Sequence, residues 1–68
     1  MTYQEIEFPR DKYSPVTYVP EHAHGNASHP DCDRGVLIDK VQNEKYVKVL
    51  FCKNRRIQAV DPKFLVEG

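Results

Sequence analysis

The chain has 68 residues, 40% of them hydrophobic and 29% charged, with ten Lys/Arg set against ten Asp/Glu. That size allows one domain with a small core and excludes an enzyme carrying its own substrate domain, while the balanced charge excludes a polyanion or DNA mimic. No apolar run approaches the roughly 18–20 residues of a membrane span, and the opening MTYQEIEFPRDKY, with early acids and no apolar stretch, is not expected to be a signal peptide.

Taken in chain order, YQEIEF (3–8) alternates with period two and places Ile6 and Phe8 on one side, so residues 1–13 form an N-terminal extension or an extra edge strand. PVTYV (15–19), bracketed by Pro15 and Pro20, reads as a strand. A polar connection follows, PEHAHGNASHPDCDRG (20–35), and then GVLIDKV (35–41), short, apolar and rich in β-branched residues. QNEK (42–45) is a turn leading into YVKVLFCK (46–53), which puts Val47, Val49 and Phe51 on one face and Tyr46, Lys48, Leu50 and Cys52 on the other. Asn54-Arg55 separates that strand from RIQAV (56–60). Asp61-Pro62 stops the run, because proline brings no N–H and restricts the residue before it. PKFLV then makes one helical turn that returns Phe64 and Leu65 to the core. No segment reads as a helix longer than a turn.

Five short antiparallel strands, counting the extra edge strand at 3–8, with one helical turn before the last apolar residue describe a small, curved all-β barrel. The series V-x-Y-V-P, G-V-x-I, Y-V-x-V-x-F, a basic turn and A-V-D-P-x-x-L is similar to small SH3-like barrels of the KOW and Tudor kind. The resemblance covers about residues 14–67 and implies a single barrel domain over 14–68, with its long loop between the first two core strands. A pattern at the level of fold says little about function.

Charge is uneven along the chain. Residues 1–39 hold seven acids and three bases, whereas 40–63 hold seven bases (Lys40, Lys45, Lys48, Lys53, Arg55, Arg56, Lys63) and only Glu44 and Asp61. Either hairpin turns are simply solvated by charge, or one side of the fold is basic and orients a partner. With two cysteines and no secretory segment, free thiols or metal thiolates are expected rather than a disulfide.

The 20–35 connection carries the chemistry. All three histidines and one cysteine, His22, His24, His29 and Cys32, fall within it as H-x-H-x4-H-x2-C. Imidazole nitrogen and thiolate sulfur are the donors zinc prefers. In an extended segment His22 and His24 project to the same side, while Gly25 and Asn26 let the chain reverse toward His29 and Cys32. The expectation is a closed, structural zinc site that staples a small core. Cys52 is an alternative fourth ligand, and Asp31 or Asp33 an alternative oxygen ligand. Against this stands the ordinary polar loop, since His, Asn, Ser, Pro and Asp are common loop residues and the spacing is not a common zinc-finger signature.

The same segment, Y-V-P-E-H-A-H-G-N-A-S-H-P-D-C-D-R-G-V, resembles a family of short phage and prophage proteins with a V-x-Y-V-P strand, an H-A-x-G-x-x-x-H-P-D-C-x-x-G loop, a V-x-V-x-F strand and a D-P-x-x-L element. Tyr18, Pro20, His22, Gly25, His29, Pro30, Asp31, Cys32, Gly35, Phe51, Asp61, Pro62 and Leu65 match that pattern, and residues 1–13 lie outside it. The resemblance implies a phage-encoded accessory protein in the cytoplasm of the bacterial host, and no reaction. The expected function is therefore an interaction module that binds a host or phage protein. The alternative is a nucleic-acid-binding barrel using Lys48, Lys53, Arg55 and Arg56 with nearby tyrosines. A metal-dependent hydrolase is disfavoured: there is no H-E-x-x-H, no base is evidently placed beyond Glu21, Asp31 and Asp33, and the chain has little room for a substrate pocket.

Overall fold

The computed structural model describes all 68 residues. Five antiparallel strands, β1 (Pro15–Tyr18), β2 (Asp33–Lys40), β3 (Val47–Phe51), β4 (Ile57–Val60) and β5 (Leu65–Glu67), form one sheet in the order β4-β3-β2-β1-β5. The only helical pieces are 3-10 turns at Tyr3–Glu5, Glu21–Ala23 and Pro62–Phe64. The protein is all-β, with its long connection between β1 and β2. The sheet ends at β4 on one side and β5 on the other, and these two edges are not paired with each other. No helix is long and apolar enough to cross a membrane.

Alternation in β3 sets the two faces of the sheet. Val47, Val49 and Phe51 are buried while Lys48 is exposed and Leu50 half-buried. β2 meets this strand with Leu37 opposite Val49, and a register shift between Leu37 and Asp39 bends the ladder. Gly35 is where the two strands come closest. A Cβ there would lie 2.5 Å from the Leu50 carbonyl oxygen and 2.8 Å from Val49 Cγ1, so only glycine passes. Both hairpin turns use residues with positive φ, Asn43 (69°) and Arg55 (55°). Asn tolerates that region; at the second turn the Asn54 side chain accepts the Arg56 N–H at 3.1 Å and so holds Arg55 there.

The core is Ile6, Val16, Leu37, Val47, Val49, Phe51 and Leu65, drawn from four strands and the N-terminal segment. The edge strand β4 adds only Val60, half-buried against it. At the C-terminal end Asp61 accepts the Lys63 N–H at 3.0 Å, and the turn it caps delivers Leu65 to the core and Phe64 to the ring of Tyr18. The DPKFL segment thus behaves as its sequence implies.

Residues 3–8 are not an edge strand. Glu5 N–H bonds to the Thr2 carbonyl at 3.2 Å and the Glu5 carboxylate accepts the Thr2 N–H at 3.0 Å, closing a local turn in place of a ladder. Ile6 faces inward, as period-two alternation expects, yet it enters the core from a turn rather than a strand and is fully buried. The extension is tied down at both ends. The Met1 amino group donates to the Leu65 carbonyl at 2.7 Å, and Tyr13 N–H to the Leu37 carbonyl at 2.7 Å.

Candidate metal centre

The connection between β1 and β2 is a chain of tight turns anchored by two buried residues, Val19 and Ala23. Val19 N–H reaches the Phe64 carbonyl at 2.7 Å, fixing the start of the loop to the turn before β5. From there N–H groups bond three residues back: Ala23 to Pro20, His24 to Glu21, Asn26 to Ala23, His29 to Asn26 and Cys32 to His29, all at 2.9–3.1 Å. Asn26 adds an Asx turn by accepting the Ser28 N–H at 3.0 Å. Prolines 20 and 30, Gly25, Asn26 and Ser28 are the residues such turns select.

Successive turns bring His22 and His29 together. Their rings stand edge-to-face with centroids 5.4 Å apart. Asp31 joins them, its Oδ2 at 2.7 Å from His22 Nε2 and 4.0 Å from His29 Nδ1. Ligand atoms of His22, His29 and Asp31 all lie within 4.8 Å of one another. His22 and Asp31 are exposed, and His29 is half-buried.

His24 and Cys32 stand outside this group. The expectation that His22 and His24 share a side holds for extended chain, whereas Glu21–Ala23 is a 3-10 turn with about three residues per turn, which sets i and i+2 apart. His24 caps that turn in the left-handed region at φ 51°. Cys32 instead donates its thiol to the Asn26 carbonyl at 3.3 Å. Cys52 is exposed in the turn after β3, its N–H held by the Arg34 carbonyl at 2.9 Å, and Asp33 is the first residue of β2. Of the two oxygen donors the sequence offered, Asp31 is the one placed. The density of turn-forming residues was the signal that the segment is not extended.

Two imidazoles and a carboxylate are a donor set suited to zinc, and three protein ligands leave a fourth position open to solvent, rather than the closed site expected with Cys32. Tetrahedral zinc with 2.0–2.1 Å bonds holds its donors about 3.3 Å apart, so the cluster must contract slightly around an ion. Two hydrogen bonds must also yield. The proton that His22 shares with Asp31 lies in the way, and His29 Nδ1 presently accepts the Asp31 N–H at 3.0 Å. Asp31 is held below the ordinary carboxylate value of 3.8, first by the hydrogen bond from His22, against some desolvation, and then by the charges of His29, His22 and Lys53. It is therefore an ionised oxygen donor across the neutral range.

Lys53 belongs to the basic hairpin, whose tip thus adjoins the loop. Lys48 projects from β3, Lys53 and Arg55 sit in the β3–β4 turn, and Arg56 precedes β4; all four are exposed and none has a carboxylate oxygen within 4.0 Å. None of the surface depressions of the protein includes His22, His29 or Asp31, and Lys53 lines one of them with Asp33, Phe51, Asn54 and Gln58. Comparison with protein-family models, curated proteins and solved structures finds no match to this chain.

Proposed function

We propose that this chain is a phage- or prophage-encoded accessory interaction module, not an enzyme, which binds a host or phage protein in the cytoplasm of the bacterial host. Its 19–32 loop is a recognition element organised by a transition metal, zinc first. The observation that carries the metal is the convergence of His22, His29 and Asp31 on one exposed point. An open fourth position lets a partner's side chain complete the ion, so metal and partner bind together. The phage assignment rests on the loop pattern quoted above.

Zinc titration of untagged protein, read by calorimetry and native mass spectrometry, tests this. One equivalent is expected to bind, with His29→Ala and Asp31→Asn each weakening it at least tenfold and His24→Ala and Cys32→Ser leaving it nearly unchanged. Imidazole binds metal unprotonated, so affinity falls as pH drops through the histidine range. Metal-free protein whose melting is indifferent to both zinc and chelator would remove the metal from the proposal.

The second reading, nucleic-acid binding, is favoured by the four unpaired cations of the β3–β4 hairpin. Its signature is binding that weakens steeply with salt as counterions are released.

A further inference from the structure

The two edges of the sheet are treated differently by the sequence. β5 is covered at Leu65, whose carbonyl takes the Met1 amino group and whose N–H bonds to the Pro62 carbonyl, and it carries the charge of Glu67. β4 is short, four residues, but within it Ile57-Gln58-Ala59-Val60 has no proline, no charge and no bulge, and its first three residues are exposed.

Register shows which backbone groups are free. Phe51 N–H donates to the Arg56 carbonyl at 2.9 Å, which makes Phe51 and Arg56 a hydrogen-bonded pair. Antiparallel ladders alternate, so Leu50/Ile57 and Lys48/Ala59 are non-bonded pairs, and the N–H and C=O of Ile57 and Ala59 point away from β3 toward the open side. The side chains add an apolar row on the face opposite the core: Pro15 pairs with Val36, Val36 with Leu50, and Leu50 with Ile57, which is 56% exposed at the end of the row. Arg34 and Lys48 stand on the same face as the row, and Arg55 and Arg56 lie in the chain just before Ile57, none paired with a carboxylate.

We infer that β4 is a docking edge for an extended segment of a partner protein, which adds as a sixth strand and carries alternating aliphatic residues followed by an acidic tail. Backbone pairing at Ile57 and Ala59 supplies affinity, and the aliphatic side chains lengthen the Val36–Leu50–Ile57 row. Antiparallel addition, the more stable sense, places the residues after the aliphatic pair beside the start of β4, where Arg55 and Arg56 await negative charge. A single-stranded nucleic acid fits this face less well, because stacking platforms are aromatic and this row is aliphatic. The inference rests on the reading of the chain as a protein-binding module and names the surface and partner chemistry.

The probe is a fluorescent peptide, Thr-Val-Thr-Val-Thr-Glu-Glu-Asp, with a Lys-Lys-Lys tail as control. Saturable binding of the acidic peptide is expected, weakening with salt, with amide shifts and new exchange protection at Ile57 and Ala59. Ala59→Pro removes an edge-facing N–H without touching the β3–β4 ladder, so it should weaken binding at least tenfold while leaving the melting curve in place. Should that variant misfold, a peptide N-methylated at its edge-facing positions makes the same test on the unaltered protein. Arg55→Ala with Arg56→Ala should cost a similar factor for the acidic peptide alone. Equal binding of the basic peptide, or binding indifferent both to Ala59→Pro and to N-methylation, would overturn the inference. So would a DNA octamer that binds more tightly and ignores Ala59→Pro, or a free chain that dimerises through β4 and excludes the peptide. Partner capture through the 19–32 loop that survives Ala59→Pro would leave the module reading standing and remove the edge.

Discussion

Single residues fix the N-terminal extension as much as packing does. The Asp11 carboxylate accepts the Glu7 N–H at 2.8 Å and an Arg10 guanidinium N–H at 3.0 Å, while Asp11 N–H returns to the Glu7 carbonyl at 2.7 Å. The Arg10 hydrogen bond, then that of the Glu7 backbone, holds the Asp11 carboxyl below its ordinary value of 3.8. A carboxyl lowered in the folded state stabilises above its unfolded value and loses that contribution as pH falls through the folded one. Asp11→Asn should therefore loosen the 7–11 turn at pH 6, seen as faster hydrogen exchange at the Asp11 amide. The difference from wild type should vanish in strong acid, once the native carboxyl is protonated. Because Asp11 is only half-buried and its partner Arg10 is exposed, global stability should change little.

Among the elements, the β2–β3 pair is the one whose geometry tolerates least change. Gly35 faces Phe51 in the register, and its missing side chain is what lets the Leu50 carbonyl and Val49 pass. Gly35→Ala should cost about 1–3 kcal/mol, the range for forcing extra volume into a packed site. Chemical denaturation would measure it, and a near-neutral result would mean the strands separate readily. The alternation of 46–53 made this strand legible, since one face had to be buried and only one register buries it. The 3–8 segment shows the opposite case. A three-residue capping interaction between Thr2 and Glu5 outcompeted an alternation equally plain in the sequence, because an edge strand gains few contacts and the turn satisfies its backbone locally.

For the whole molecule, stability rests on seven buried side chains. A core this small supplies roughly 3–5 kcal/mol, and emptying the fully buried Leu37 to alanine removes about 2–5 kcal/mol. Leu37→Ala should be largely unfolded at 25 °C by circular dichroism, whereas Ile57→Ala, at an exposed edge position, should melt as wild type. Zinc binding the native state alone adds about 2.7 kcal/mol at a hundredfold excess over Kd, so saturating zinc should refold part of the Leu37→Ala population. Recovery that requires His29 would tie the loop to the fold.

The sequence by itself determined the all-β class, strands β1 to β4 within a residue or two, the inward face of β3 and the DPKFL turn, because each follows from local alternation, proline geometry or a cap, whereas β5 was not placed. It also placed the chemistry in the 20–35 connection by composition alone. Which donors meet was decided by tertiary structure. His22 and His29 are seven residues apart and come together only through a succession of turns anchored at Val19 and Ala23, a path that no pairwise spacing encodes. The inward path of Ile6 and the open edge at β4 were likewise beyond the sequence. Both depend on which strands lie at the edges of the sheet, and edges exist only once every strand has found its neighbour.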